Sequence, residues 1–231
     1  MSVVIRSRLL TAVVVPALLL TACSGGDDSD GASAEDTLAA AKQTLDDTSG
    51  VQIDLTTDEL PDGVDGVVDA SGIGTHAPAF DGEIKVLVNN VSVNVPVVAV
   101  DGDVYAQVPF TEGFSPIEPS DYGAPDPAAL MDPDSGISGW LTAVEGVEQG
   151  DEVRDGDQVL TRYTGTLPGS VVADVIPSAD QEADFDVTFS IDDEDQLVTA
   201  DVEGPFYGSE GDVDYKITLS EYGTEKDITA P

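Results

Sequence analysis

From Val51 onward the apolar residues of this chain fall at every second position, and Asp-Gly pairs punctuate the alternation. Val51, Ile53 and Leu55 alternate with Gln52, Asp54 and Thr56, the pattern of a strand buried on one face. Further runs follow at 67–75, 80–88, 91–100 and 103–108. Asp62-Gly63, Asp65-Gly66, Asp81-Gly82 and Asp101-Gly102 read as turns between them. The last joins two alternating runs directly and predicts a two-residue hairpin. Pro96 lacks an N–H for the ladder and predicts an edge, a bulge or a bend in its run.

Helical signals flank this meander. Ser33 precedes Asp36 by three residues in a capping pattern, and Leu38, Ala41 and Leu45 share a helical face. With Gly50 as the stop, they predict a helix over 34–48. Residues 111–123 form a break rich in Pro, Gly and Ser, after which Asp126-Pro127 opens a short helix. A second short helix covers 135–141 and carries the one tryptophan, Trp140; a third covers 169–176. Strands are predicted at 145–153, 158–167, 184–191, 197–203 and 213–221, with Asp155-Gly156 as a turn and 192–195 as a solvated one. The fold class is α+β, with an antiparallel sheet whose apolar face needs a helical cover. Two outcomes stay open at this point. Either the cover fills the sheet, as most interiors are filled, or thin helices leave an apolar cavity.

The N-terminus says where such a body resides. Arg6 and Arg8 precede an apolar run from Leu9 to Leu20, and Leu20-Thr21-Ala22-Cys23 ends it. That run is shorter than the ~20 residues needed to span a bilayer and reads as a signal peptide. An aliphatic residue and two small ones before a cysteine make a bacterial lipobox. The expected layout is therefore a signal peptide at 1–22, acylated Cys23 with a flexible acidic tether to residue 33, and one domain over 34–231. The body is expected on the extracytoplasmic face of the cell membrane, held in that membrane by lipid on Cys23. With Cys23 the only cysteine, no thiol remains for a disulfide.

Charge and residue types narrow the function. The chain holds 46 Asp and Glu against 8 Lys and Arg, for a formal net charge of −38. Cleavage after residue 22 removes two arginines and no acid, making it more negative still. Such a chain has no basic stripe for nucleic acid. His76 is the single histidine and reads as a surface residue, without partners for a metal site. No nucleophile elbow, phosphate loop or calcium loop is present. The expectation is no enzyme, no metal and no cofactor.

The order of elements is similar to that of a known family. The lipobox, polar tether and capped helix lead into a strand meander with Asp101-Gly102 before Val104-Tyr105-Ala106. Tyr122 and Asp126-Pro127 lead to Gly136-Ile137, Tyr163-Thr164-Gly165-Thr166-Leu167-Pro168 precedes a short helix, and Leu219-Ser220-Glu221-Tyr222-Gly223 runs toward Ile228. Together they resemble the actinobacterial LppX–LprAFG lipoproteins over the whole mature chain. The acidity, and the Gly- and Asp-rich segment 58–67, depart from that pattern.

The resemblance implies a curved antiparallel half-barrel with helices over its concave face, enclosing an apolar cavity for acyl chains. It implies carriage of acylated lipids or lipoglycans across the periplasmic space toward the outer envelope, in some members alongside a membrane efflux transporter. Ile84 matches a wall-lining position of that family. On this reading the cavity is expected to be lined from the sheet by Ile84, Val86, Val88, Val93 and Val95. Its cover would contribute Leu130, Ile137, Trp140, Leu141, Val172 and Val175. The competing expectation is a structural or adhesive acidic surface lipoprotein with a filled core and no lipid cargo.

Overall fold

The computed structural model describes residues 32–108, 112–122 and 124–231, so the signal peptide, Cys23 and most of the tether lie outside the described residues. Helix α1 (Ala34–Asp47) starts where the sequence places it. The Ser33 hydroxyl accepts from the Asp36 N–H at 3.1 Å, and the Asp36 carboxylate accepts from the Ser33 N–H at 3.3 Å. Two of the helix's orphan donors are thereby satisfied. Its buried residues are Leu38, Ala41 and Leu45, the three of the apolar stripe.

The meander follows as β1 (Gly50–Thr56), β2 (Gly66–Thr75), β3 (Ala79–Val88), β4 (Val91–Val100), β5 (Asp103–Ala106) and β6 (Ser115–Ile117). Two 3-10 turns, Pro119–Tyr122 and Pro127–Met131, lead to α2 (Ile137–Ala143). Then come β7 (Glu145–Asp155), β8 (Gln158–Pro168), α3 (Gly169–Val175), β9 (Asp184–Ile191), β10 (Leu197–Gly204) and β11 (Val213–Ser220). All eleven strands join one antiparallel sheet in the order β6-β5-β4-β3-β2-β1-β11-β10-β9-β8-β7. The sheet does not close on itself and forms a half-barrel. Its middle is the pairing of β1 with β11, where Gln52 opposes Ser220.

Several local readings change. Asp81-Gly82 is not a turn but lies inside β3, with Gly82 opposite Gly72 of β2. A Cβ on Gly72 would come 2.6 Å from the Phe80 ring and 2.7 Å from the Gly82 backbone. The two glycines are there so that Phe80 can lie flat across the sheet. The break after β5 hides the short strand β6, and the helix expected at Asp126-Pro127 is a 3-10 turn. Pro96 sits where β4 runs on beyond β5, which pairs only from Val97. Asp192 is not a solvated turn residue. It is buried and accepts from the N–H groups of Glu194 and Gln196 at 3.0 and 2.9 Å. Asp101, at φ 56°, and Gly102, at φ 81°, form the predicted hairpin with both central residues left-handed.

Candidate functional site

The inner face of the half-barrel is covered unequally, and the difference creates the site. Over the half built from β8–β11 and β1, helices α1, α2 and α3 lie on a packed core holding Trp140, Phe185, Phe189 and Phe206. Over the half built from β2–β5 the cover among the described residues is the segment around Ala124, Pro125 and Pro127, above Val67, Phe80, Ile84, Val97, Val104 and Ala106. Prolines and alanines reach less deeply than indole or phenyl rings, so this half is incompletely filled.

Two apolar pockets occupy the thinly covered half. The first, of about 50 Å³, lies between Ile53, Leu55, Val67, Ala70, Phe80 and Ile84 of the sheet and Ala124, Pro125, Pro127 and Leu130 above. The second, of about 70 Å³, lies between Ile84, Val86, Val95, Val97, Val104 and Ala106 and the same Ala124, Pro125 and Pro127. Ile84, 8% exposed, lines both. It stands beneath the proline segment as a partition in what is otherwise one groove.

The first pocket ends at an aromatic wall. Phe185 meets Phe206 edge-on with centroids 4.9 Å apart, and Phe206 meets Tyr215 in the same way at 4.9 Å. Tyr215 donates to the Val67 carbonyl at 2.6 Å, so Tyr207 donates to the Tyr215 oxygen at 2.8 Å. Burial pushes the pKa of both phenols up, which keeps them neutral hydrogen-bonding groups. This wall separates the filled half from the groove and supplies its few polar atoms.

The covering segment is fastened at both ends. Asp126 accepts from the Ala128 N–H at 2.9 Å and caps the turn Pro127–Met131. Asp132 accepts from the N–H groups of Asp134 and Ser135 and from the Ser135 hydroxyl. These bonds, the Ser135 N–H first, hold the Asp132 carboxyl below its ordinary pKa. Just beyond, Lys42 of α1 donates to the Pro133 carbonyl at 2.6 Å and pairs with Asp46 at 2.8 Å.

Of the residues singled out from sequence, Ile84, Val86, Val95 and Leu130 line the two pockets. Val88 and Val93 lie farther along the same sheet face and border neither pocket. Ile137, Trp140, Leu141, Val172 and Val175 are buried at 1% exposure or less in the packed core of the other half. There α2 and α3 fill space rather than bound it. The Trp140 indole N–H has no hydrogen-bond partner in that core. Sequence reasoning missed Phe80, Pro125, Pro127, Tyr207 and Tyr215. Only the Pro-rich break offered a signal, because prolines flanking a short turn suit a stiff cover.

His76 is half-buried instead of a free surface residue; its Nε2 lies 2.6 Å from the Leu45 carbonyl near the end of α1. Among the described residues no group of three or more His, Cys, Asp or Glu is placed to hold a metal ion. None of the described helices is long and apolar enough to cross a membrane.

Comparisons with known proteins place this geometry. The lipoarabinomannan carrier protein LprG of Mycolicibacterium hassiacum is 28% identical over 232 residues, covering 97% of each chain. The crystal structure of LprF from Mycobacterium bovis aligns with a TM-score of 0.66 at 16% identity, covering 86% of this chain and 96% of that one. That of the lipoprotein LppX from Mycobacterium tuberculosis aligns with a TM-score of 0.61 at 16% identity, covering 85% and 98%. The half-barrel under a partial helical cover is thus a fold shared with these two lipoproteins. The family described as LppX_LprAFG lipoprotein matches residues 33–229, and this chain belongs to it.

Proposed function

We propose that this protein is a membrane-anchored lipid carrier, which holds the acyl chains of a lipid or lipoglycan in the groove beneath Pro125 and Pro127. The observation that carries the reading is a groove walled almost wholly by carbon, set on a sheet face whose other half is fully packed. Each methylene withdrawn from water there contributes ~0.8 kcal/mol, so chain length alone supplies affinity. The relatives named as lipoarabinomannan carriers support a glycosylated, acylated cargo. Acylated Cys23 anchors the carrier at the extracytoplasmic face of the cell membrane, from which it takes cargo across the periplasmic space toward the outer envelope.

Pocket size favours a second reading. An apolar cavity of ~150 Å³ holds about one benzene, and volumes of about 50 and 70 Å³ are smaller. A structural or adhesive lipoprotein with a nearly filled core would look this way. The carrier reading therefore requires the covering segment to rise when a chain enters, joining both pockets past Ile84. Mass spectrometry of lipid extracted from the unacylated Cys23→Ala protein separates the two. A bound acyl lipid is the expected result; a protein that carries none and takes up no labelled lipid overturns the carrier reading. In cells Cys23→Ala should retain binding and lose delivery.

A further inference from the structure

The face that lines the second pocket does not stop at the pocket. In the register of β3 with β4, Ile84 opposes Val95, Val86 opposes Val93 and Val88 opposes Val91. Strand alternation puts all six on the groove face. They form three apolar cross-strand pairs in line, running from the buried partition outward to the hairpin tip. Exposure climbs along this track, from 8% at Ile84 to 60% at Val91. On its outer side β5 pairs with β4 from Val97 onward, and Gln107 donates to the Pro96 carbonyl at 3.0 Å.

The tip is built to project. Asn89 and Asn90 have φ of 49° and 61°, so a tight turn with both central residues left-handed joins Val88 directly to Val91. Asp65 holds the turn by accepting from the Asn89 N–H at 2.7 Å. The charge pattern is as unusual as the shape. Residues 84–100 contain no Asp or Glu and one cation, Lys85, in a chain of net charge −38. The hairpin joining β7 to β8, by contrast, carries Arg154, Asp155 and Asp157 at its end. An acidic body is repelled by an anionic lipid surface, and the β3–β4 tip is a part of it that can approach one.

We propose that the tip of the β3–β4 hairpin is the surface by which this protein docks on a lipid bilayer, with the Val86–Val93 and Val88–Val91 pairs as the track along which an acyl chain passes between bilayer and groove. The proposal rests on the carrier reading and names where loading occurs. Its occupant is a lipid surface, because the track continues an apolar groove and residues 84–100 themselves carry no acid, the one carboxylate bonded to the turn being that of Asp65.

The test uses the full chain with Cys23→Ser, so that one introduced thiol can carry an environment-sensitive fluorophore. The probe is placed at Ser92→Cys beside the tip or at Asp157→Cys on the other hairpin. With phosphatidylcholine vesicles, emission from position 92 should shift to the blue and that from 157 should not. Val91→Asp should slow transfer of a fluorescent acyl lipid from vesicles at least tenfold, with the amount bound at equilibrium unchanged. An unshifted probe at 92, or equal transfer by Val91→Asp, overturns the docking surface even if the protein binds lipid. A blue shift without vesicles that grows with protein concentration assigns the tip to a second copy and overturns it too. A chain that takes up no lipid by any route overturns the carrier reading instead.

Discussion

Ile84 is the position at which groove and fold are most directly opposed, and replacing it in two directions tests how the pockets work. Ile84→Ala removes three carbons from a side chain that is 8% exposed, a transfer loss of ~2.4 kcal/mol at ~0.8 kcal/mol per carbon. The void it leaves adjoins pockets of about 50 and 70 Å³, so the three become one continuous space. Residual cavity adds ~24 cal/mol per Å³, and the expected total is about 3 kcal/mol. Urea unfolding followed by the fluorescence of Trp140, the only tryptophan, reads that loss. An acyl chain that enters the merged space restores the missing contacts. The stabilisation gained on adding a long-chain lipid should therefore be larger for Ile84→Ala than for the parent. Ile84→Trp does the opposite: the indole occupies the groove, overpacking costs ~1–3 kcal/mol, and lipid adds little stability. If both variants gained the same stability from lipid as the parent, the groove beneath Pro125 and Pro127 would not be where acyl chains bind.

Three further outcomes follow from the geometry. Asp132→Asn keeps an acceptor but loses the charge that its donors favour. Because the carboxyl's folded pKa lies below its ordinary value of 3.8, its contribution is present above that pH and lost as pH falls through the folded value. The variant should be less stable than the parent at pH 7, by roughly 1 kcal/mol, and the difference should vanish in acid titrations of unfolding. Tyr215→Phe removes the donor to the buried Val67 carbonyl and the oxygen that accepts from Tyr207, and calorimetry should show a loss of ~1–3 kcal/mol. Gly72→Ala sets a methyl 2.6 Å from the Phe80 ring and 2.7 Å from backbone that cannot yield. It should cost ~1–3 kcal/mol and, by driving Phe80 into the first pocket, lower lipid uptake in a fluorescent-lipid titration.

The fold was legible where its signals are local. Ser33 and Asp36 announce α1, and period-two alternation announces nearly every strand. What alternation cannot convey is the neighbour across the sheet. Asp81-Gly82 looks like a turn until Gly72 is seen opposite it with Phe80 lying across both, a relation set by register. The strand Ser115–Ile117 is too short to show a period. The site was half legible for a similar reason. Ile84, Val86 and Val95 stand on a face that had to be covered by something. Whether Trp140 or Pro125 covers it depends on segments dozens of residues away. Apolar residues at helical spacing look the same whether they fill a core, as Ile137 and Leu141 do, or leave it open.

The seam between β1 and β11 has a consequence for how the chain reaches its native state. Gln52 and Ser220 are sequence-distant neighbours at the centre of the sheet, and closing so long a loop must precede the contacts that reward it. Strands β2–β6 can pair in order as they become available, yet the two meanders stay unjoined until residues 213–220 arrive. Completion of the eleven-stranded sheet thereby requires the last strand. A sheet with this strand order is complete only when its two meanders meet at that central seam, whatever the order in which the other strands pair.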